Sequence, residues 1–243
     1  MQAASSLGQE GKKLLSAHWK LSIVYDSEAL QGFEKGWGFS ALISSDEHCI
    51  LFDCGWDGHL LRRNLGRIGH TFADLDFVVL SHGHWDHISG LTEILHDAIL
   101  PETLEVVLPA AFSNRLRKEI SKRVKIREIT APEEIVRGIY TVGSLGSDIK
   151  EQSLLIRFED SGVLITGCAH PGVGTIIRAA SEIATPKWLV GGFHNSRLEE
   201  FPQDLERIII CHCTTQKSEL LKAFGERASI GASGSVFALN LQS

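Results

Sequence analysis

Phe77-Val78-Val79-Leu80, followed at once by Ser81-His82-Gly83-His84-Trp85-Asp86-His87, decides how the chain is read. The first four residues form the continuous apolar run that a buried strand presents, and a helical pattern begins near Ile88. Four metal-competent side chains, three imidazoles and a carboxylate, therefore fall within six residues of a strand-to-helix junction. Side chains alternate along an extended segment, which sends His82 and His84 to one side. The turn into the helix lets Asp86 and His87 come round to a second point nearby. That geometry can hold two metals. Imidazole and carboxylate are ligands that divalent zinc, iron and manganese accept, zinc being expected first, and each ion needs further ligands from elsewhere in the chain.

Working outward, His170 lies just beyond an apolar run at 162–167 and His212 at the end of another at 207–211. Ligand sites of α/β sheets gather at the carboxyl ends of strands, so His82, His84 and His170 with Asp86, His87 and His212 form one coherent cluster of metal ligands. Asp53, at the end of the run 48–53, is placed to accept the free N–H of a ligating imidazole or to cap a helix. His194 follows two glycines that allow close backbone approach, and reads as a substrate contact, a proton donor or an ordinary loop histidine. Pro171-Gly172-Val173-Gly174-Thr175 opens a helix, where the N–H groups of Gly172 and Gly174 are expected to hold a phosphate or carboxylate of the substrate. Cys211 and Cys213 flank His212 without zinc-knuckle spacing and read as packing, turned away from that histidine. His18, His48, His59, His70 and His96 read as surface or boundary residues. Trp37 and Trp85 are placed to wall the pocket.

The rest of the chain frames this site. Strands are expected at 19–25, 38–44, 48–53, 76–81, 104–108, 124–129, 139–143, 151–158, 162–167, 187–191, 207–211 and 234–239, with helices at 58–68, 88–97, 110–122, 173–183 and 216–225. Residues 1–18 read as a flexible leader and 19–243 as one domain of mixed α/β class. Of 243 residues 43% are hydrophobic, and no run approaches the ~18–20 apolar residues of a membrane span, so no membrane partner is expected. The 24 Lys and Arg against 30 Asp and Glu disfavour nucleic acid as a partner. Five cysteines, an odd count, together with the polar first 18 residues point to a reduced, cytoplasmic protein.

The stretch from His82 to His87 resembles the HxHxDH signature of the metallo-β-lactamase superfamily, which implies an αββα four-layer sandwich. Leu51-Phe52-Asp53-Cys54-Gly55, the apolar run 162–167 and His212 resemble further marks of that family. GCAHPG at 167–172, GGFH at 191–194 and CHCT at 211–214 resemble the branch of dihydropterin-ribofuranosyl-aminobenzene 5′-phosphate synthase-like metal-dependent hydrolases. Two departures stand out. Many superfamily hydrolases carry a metal-bridging Asp where this chain has Cys168, and a histidine in the region that here reads Lys150-Glu151-Gln152-Ser153. The resemblance implies that His170 takes the missing histidine's place. It leaves Cys168 as a metal ligand, a bridging ligand or a buried thiol beside the site.

The implied activity is hydrolysis by a metal-bound hydroxide, formed because one or two divalent transition metals lower the pKa of a bound water to about 7. The expected substrate is a small anion bearing phosphate or carboxylate, with Asp86 orienting the nucleophile and His194 protonating the leaving group. Two alternatives stay open: the transferase or lyase chemistry of the synthase-like branch, and nonenzymatic metal-dependent binding of a small molecule.

Overall fold

The computed structural model describes residues 19–239, so the 1–18 leader and His18 lie outside the described residues. The strands build two seven-stranded sheets. The first contains β1 (Trp19–Tyr25), β2 (Ser40–Ser44), β3 (Cys49–Phe52), β4 (Phe77–Val79), β5 (Glu105–Pro109) and β6 (Lys125–Ile129) in chain order, with β14 (Val236–Leu239) beside β1 at the edge. The second runs from β7 (Glu133–Val136) through β8 (Ile139–Thr141), β9 (Leu154–Phe158), β10 (Ser161–Thr166), β11 (Thr185–Gly191) and β12 (Arg207–Ile210) to β13 (Ala228–Ile230). Each begins as an antiparallel meander and continues as parallel strands from β3 in one sheet and from β10 in the other. Parallel neighbours need crossover connections, which supply the helices.

Alternation along the strands sorts side chains into three apolar layers. Ala41 and Ile43 of β2, Ile50 and Phe52 of β3, and Val163 and Ile165 of β10 meet between the sheets. Leu42 and Leu51 point the other way, toward α1 (Gly58–Arg67) and α4 (Asn114–Ser121), while Leu164 packs under α5 (Val173–Ser181) and α6 (Lys217–Phe224). Helix, sheet, sheet, helix is the αββα order. Strands buried on both faces account for runs such as Cys49–Phe52, in which all four residues are buried. Among the described residues no helix is long and apolar enough to cross a membrane.

The structure corrects the sequence reading in two places. The helix expected at 88–97 is two short ones, α2 (Trp85–Ile88) and α3 (Leu91–Leu95), so Asp86 and His87 sit inside a helical turn rather than ahead of it. The break falls at Gly90, whose N–H donates to Gly55 O (3.1 Å) and where a Cβ would collide with the Cys54 carbonyl. Strands β7 and β13 were not expected, because each is short and turns at most one buried side chain inward.

Candidate metal centre

Five strand ends converge on one edge of the two sheets. Asp53 follows β3, His82 follows β4, Cys168 and His170 follow β10, His194 follows β11 and His212 follows β12. Asp53 (φ 58°), Ala169 (58°), His194 (37°) and His212 (30°) adopt left-handed backbone there, four of the five non-glycine residues with positive φ among those described. Such strain concentrates where surrounding structure must aim a functional group.

Three sets of three donor atoms lie within 4.8 Å of one another: His82, Cys168 and His170; His87, Cys168 and His212; and Asp53, His82 and His87. Cys168 is common to the first two, with its Sγ 3.1 Å from His87 Nε2. His84 stands beside the first set, its ring centroid 4.6 Å from His82 and 4.8 Å from His170. Asp86 joins the second, its Oδ2 accepting from His212 Nε2 at 2.9 Å.

The remaining nitrogens are fixed by buried acceptors. Asp53 receives the Ser81 N–H (2.7 Å), the Ser81 hydroxyl (2.6 Å) and His87 Nδ1–H (2.6 Å). Since the Ser81 hydroxyl proton goes to Asp53, Ser81 Oγ accepts from His82 Nδ1–H at 2.8 Å. That assignment leaves His82 Nε2 as a lone pair, and this atom is buried without any hydrogen-bond partner. A buried imidazole nitrogen aimed at two other donor atoms and lacking a proton partner fits a cation. His170 Nδ1 lies 2.8 Å from Glu151 Oε2, and the same carboxylate receives four backbone N–H groups from residues 167–170.

Burial sets the charges. It pushes His82 and His87 down to about 3, which keeps both imidazoles in the neutral, ligating form. It pushes Asp53 up to about 7, so both partners of the Asp53–His87 bond are driven toward neutrality. Glu151 is equally buried, yet its hydrogen bonds from His170 outweigh desolvation and hold it at about 2. Asp86 likewise stays below the usual carboxylate range, its bond to His212 overcoming partial burial. A hydrogen bond from the Cys168 thiol to Cys213, together with burial, pushes that thiol up.

Several expectations are revised by this geometry. The N–H groups at the start of α5 are taken within the chain, Val173 N by Ser196 Oγ (3.3 Å) and Gly174 N by Glu200 Oε2 (3.3 Å). Gly172 N donates to Ala169 O at 2.9 Å. The N–H groups of Gly172 and Gly174 are thus engaged within the chain. The depression of about 520 Å³ on this flank, lined by Arg178, Arg197 and Glu200 among others, includes none of the clustered histidines. Cys211 packs between the sheets as expected, whereas Cys213 turns toward the site, its Sγ 4.0 Å from Cys168 O. His194 is exposed at the rim, its ring 5.2 Å from that of His170. Trp37 (61% exposed) and Trp85 (68%) stand at the mouth with Trp56 (54%), the Trp37 ring 4.7 Å from His212. His48, His59, His70 and His96 pair elsewhere, with Asp76, Glu93, Cys49 and the Thr92 carbonyl. Sequence reasoning missed the roles of Glu151 and Ser81. An acidic residue entering the apolar strand 151–158 was the available signal for Glu151.

The sequence profile of the metallo-beta-lactamase superfamily matches residues 38–212, which span every residue of the cluster. The chain belongs to that superfamily. Its members hold one or two divalent metals, and the groups described above are this chain's candidates for them. An uncharacterized protein of Methanocaldococcus jannaschii, MJ0448, is 26% identical over 82% of this chain and 91% of its own length. The 7,8-dihydropterin-6-methyl-4-(β-D-ribofuranosyl)-aminobenzene-5′-phosphate synthase of the same organism is 24% identical, covering 70% of this chain and 76% of that protein. Among solved structures, Tm1679, a metal-dependent hydrolase of the β-lactamase superfamily, superposes with a TM-score of 0.72 at 23% identity, over 91% of this chain and 99% of that one.

Proposed function

We propose that this superfamily member is a metal-dependent hydrolase of a small substrate carrying phosphate or carboxylate. In this reading His82, His84 and His170 hold one divalent ion, Asp86, His87 and His212 a second, and Cys168 lies between them. The observation that carries it is the buried, partnerless His82 Nε2 inside a set of donors whose other nitrogens are already committed. Bound there, zinc, iron or manganese supplies Lewis acidity and brings the pKa of a coordinated water to about 7.

The chain's own groups do the rest. Asp86, held below the usual carboxylate range, orients the attacking oxygen. His194, whose pKa burial and the neighbouring His170 lower, presents an imidazole at the rim to the leaving group or the developing oxyanion. Anion recognition would fall to the bound ions and to His194 at the rim, since the α5 N-terminus is internally satisfied. A second reading, group transfer on a phosphoribosyl substrate, is supported by the similarity to the M. jannaschii synthase.

Elemental analysis of protein purified without chelator, followed by a panel of phosphomonoesters, phosphodiesters, lactones and carboxylic esters, tests the proposal. Stoichiometric metal and metal-dependent turnover of an anionic ester are expected. No uptake of zinc, manganese or iron would overturn the metal centre, and metal uptake with turnover of neutral esters alone would overturn the substrate class.

A further inference from the structure

We propose that Glu151 is a positioning residue that fixes the tautomer of His170 and thereby frees His170 Nε2 for a metal, an inference that rests on the metal-centre reading above. Glu151 is 1% exposed and enters the second sheet just ahead of β9. Its Oε1 receives the N–H of Gly167 (3.2 Å), Cys168 (3.0 Å) and Ala169 (2.9 Å), and its Oε2 the N–H of His170 (2.9 Å) and that ring's Nδ1 (2.8 Å). A carboxylate only accepts, so the fifth contact is made only if Nδ1 carries the ring proton, which leaves Nε2 as a lone pair. Nothing else in the cluster performs this service for His170, because Asp53 and Ser81 are committed to His87 and His82.

The arrangement also accounts for the departure in sequence. Where the resemblance implies a histidine for many superfamily hydrolases, the chain carries a glutamate, and His170 lies 19 residues later in a loop that the glutamate itself holds. The same carboxylate grips the Cys168 N–H, so one buried group sets both the thiol and the imidazole of the first donor set. The next residue, Gln152, donates its side-chain N–H to Leu80 O (2.9 Å), two residues before His82. Adjacent side chains thus tie the two sides of that set together.

Glu151→Gln discriminates. An amide offers one acceptor oxygen; with that oxygen under the three N–H groups of residues 167–169, its NH₂ faces His170 and donates to Nδ1. The ring then becomes the Nε2–H tautomer, which does not ligate through Nε2. Nitrogen-15 NMR of the imidazoles in the full chain should show His170 protonated at Nδ1 in the parent and at Nε2 in the variant. Zinc affinity of the first donor set should fall about 10–100-fold, the usual cost of removing a partner of a ligating histidine. Adding Glu151→Gln to His170→Ala should cost no more affinity than His170→Ala alone, a non-additivity that a merely structural role would not produce. An Nε2–H tautomer in the parent, unchanged zinc affinity in Glu151→Gln, or additive losses would each overturn the proposal. If the variant fails to fold, the parent spectrum decides alone. Failure of the parent to take up zinc sinks the metal reading instead, whereas the tautomer recorded without zinc still reports whether Glu151 sets the ring.

Discussion

Buried ionisable side chains under the strand ends fall into two opposing sets, and the pH dependence of stability follows from their balance. His82 and His87 are held down at about 3, so the unfolded chain binds two protons from about pH 6.5 that the folded chain refuses, and stability is lost as pH falls. Asp53, raised to about 7, and Asp26, raised to about 6, both by burial, act in the other sense: the folded chain takes up protons that the unfolded chain binds only near pH 4. Between about pH 6 and 4 two protons refused offset two taken up. Below about 4 the buried acids are protonated in either state, the histidines still refuse, and Glu151, held at about 2, adds its own loss. The urea midpoint of chelator-treated protein should therefore run nearly level from pH 6 to about 4.5 and fall steeply below. A steady decline beginning at pH 6.5 would contradict the arrangement. At this scale the sequence showed the histidines, because six metal-competent positions sit at strand ends in a spacing that few other chemistries need. Glu151, Ser81 and Asp26 were not legible as partners, since each acts through contacts that only the folded chain creates, such as Asp26 Oδ2 with the His212 N–H 186 residues away.

A one-turn helix delivers Asp86 and His87, and it is steadied less by its own hydrogen bonds than by its neighbours. Cys54 N donates to His87 O (2.7 Å) and Phe39 N to Asp86 O (3.2 Å), which locks α2 against the ends of β2 and β3. Gly90 then lets the chain turn into α3 with its backbone against Cys54. Gly90→Ala should cost about 1–3 kcal/mol in urea unfolding, as overpacking does, and should weaken metal uptake by displacing His87. Wild-type stability in that variant would show that the contact relaxes freely. Most strands were readable because burial on both faces imposes continuous apolar runs. The break in the helix expected at 88–97 was not, because the apolar pattern continues through Ile88, Leu91 and Ile94 while a long-range backbone contact, invisible in that pattern, ends the turn.

Across the whole molecule the donors are divided between the sheets. His82, Asp86 and His87 come from the first, Cys168, His170 and His212 from the second, and the apolar layer between them sets their separation. An ion bound by both sets stabilises the docked sheets by mass action, about 2.7 kcal/mol at a hundredfold excess over Kd. Chelation should therefore lower the melting temperature by roughly 5–10 °C, measured by calorimetry at constant pH, and an unchanged transition would show that no ion bridges the sheets. Mixed strand and helix succession gave only the α/β class, and the αββα order came with the family resemblance of the His82–His87 stretch; the return of β14 to pair with β1 was not legible, since Val236–Leu239 pairs with a strand more than two hundred residues earlier. The division of donors has a consequence for timing. A ribosome that has released only β1 to β6 has exposed Asp53, His82 and His87, but neither group that contains Cys168 closes before the second sheet emerges. Ion capture by those two groups is on this account a late step of synthesis, one that ratifies correct docking of two halves rather than guiding it.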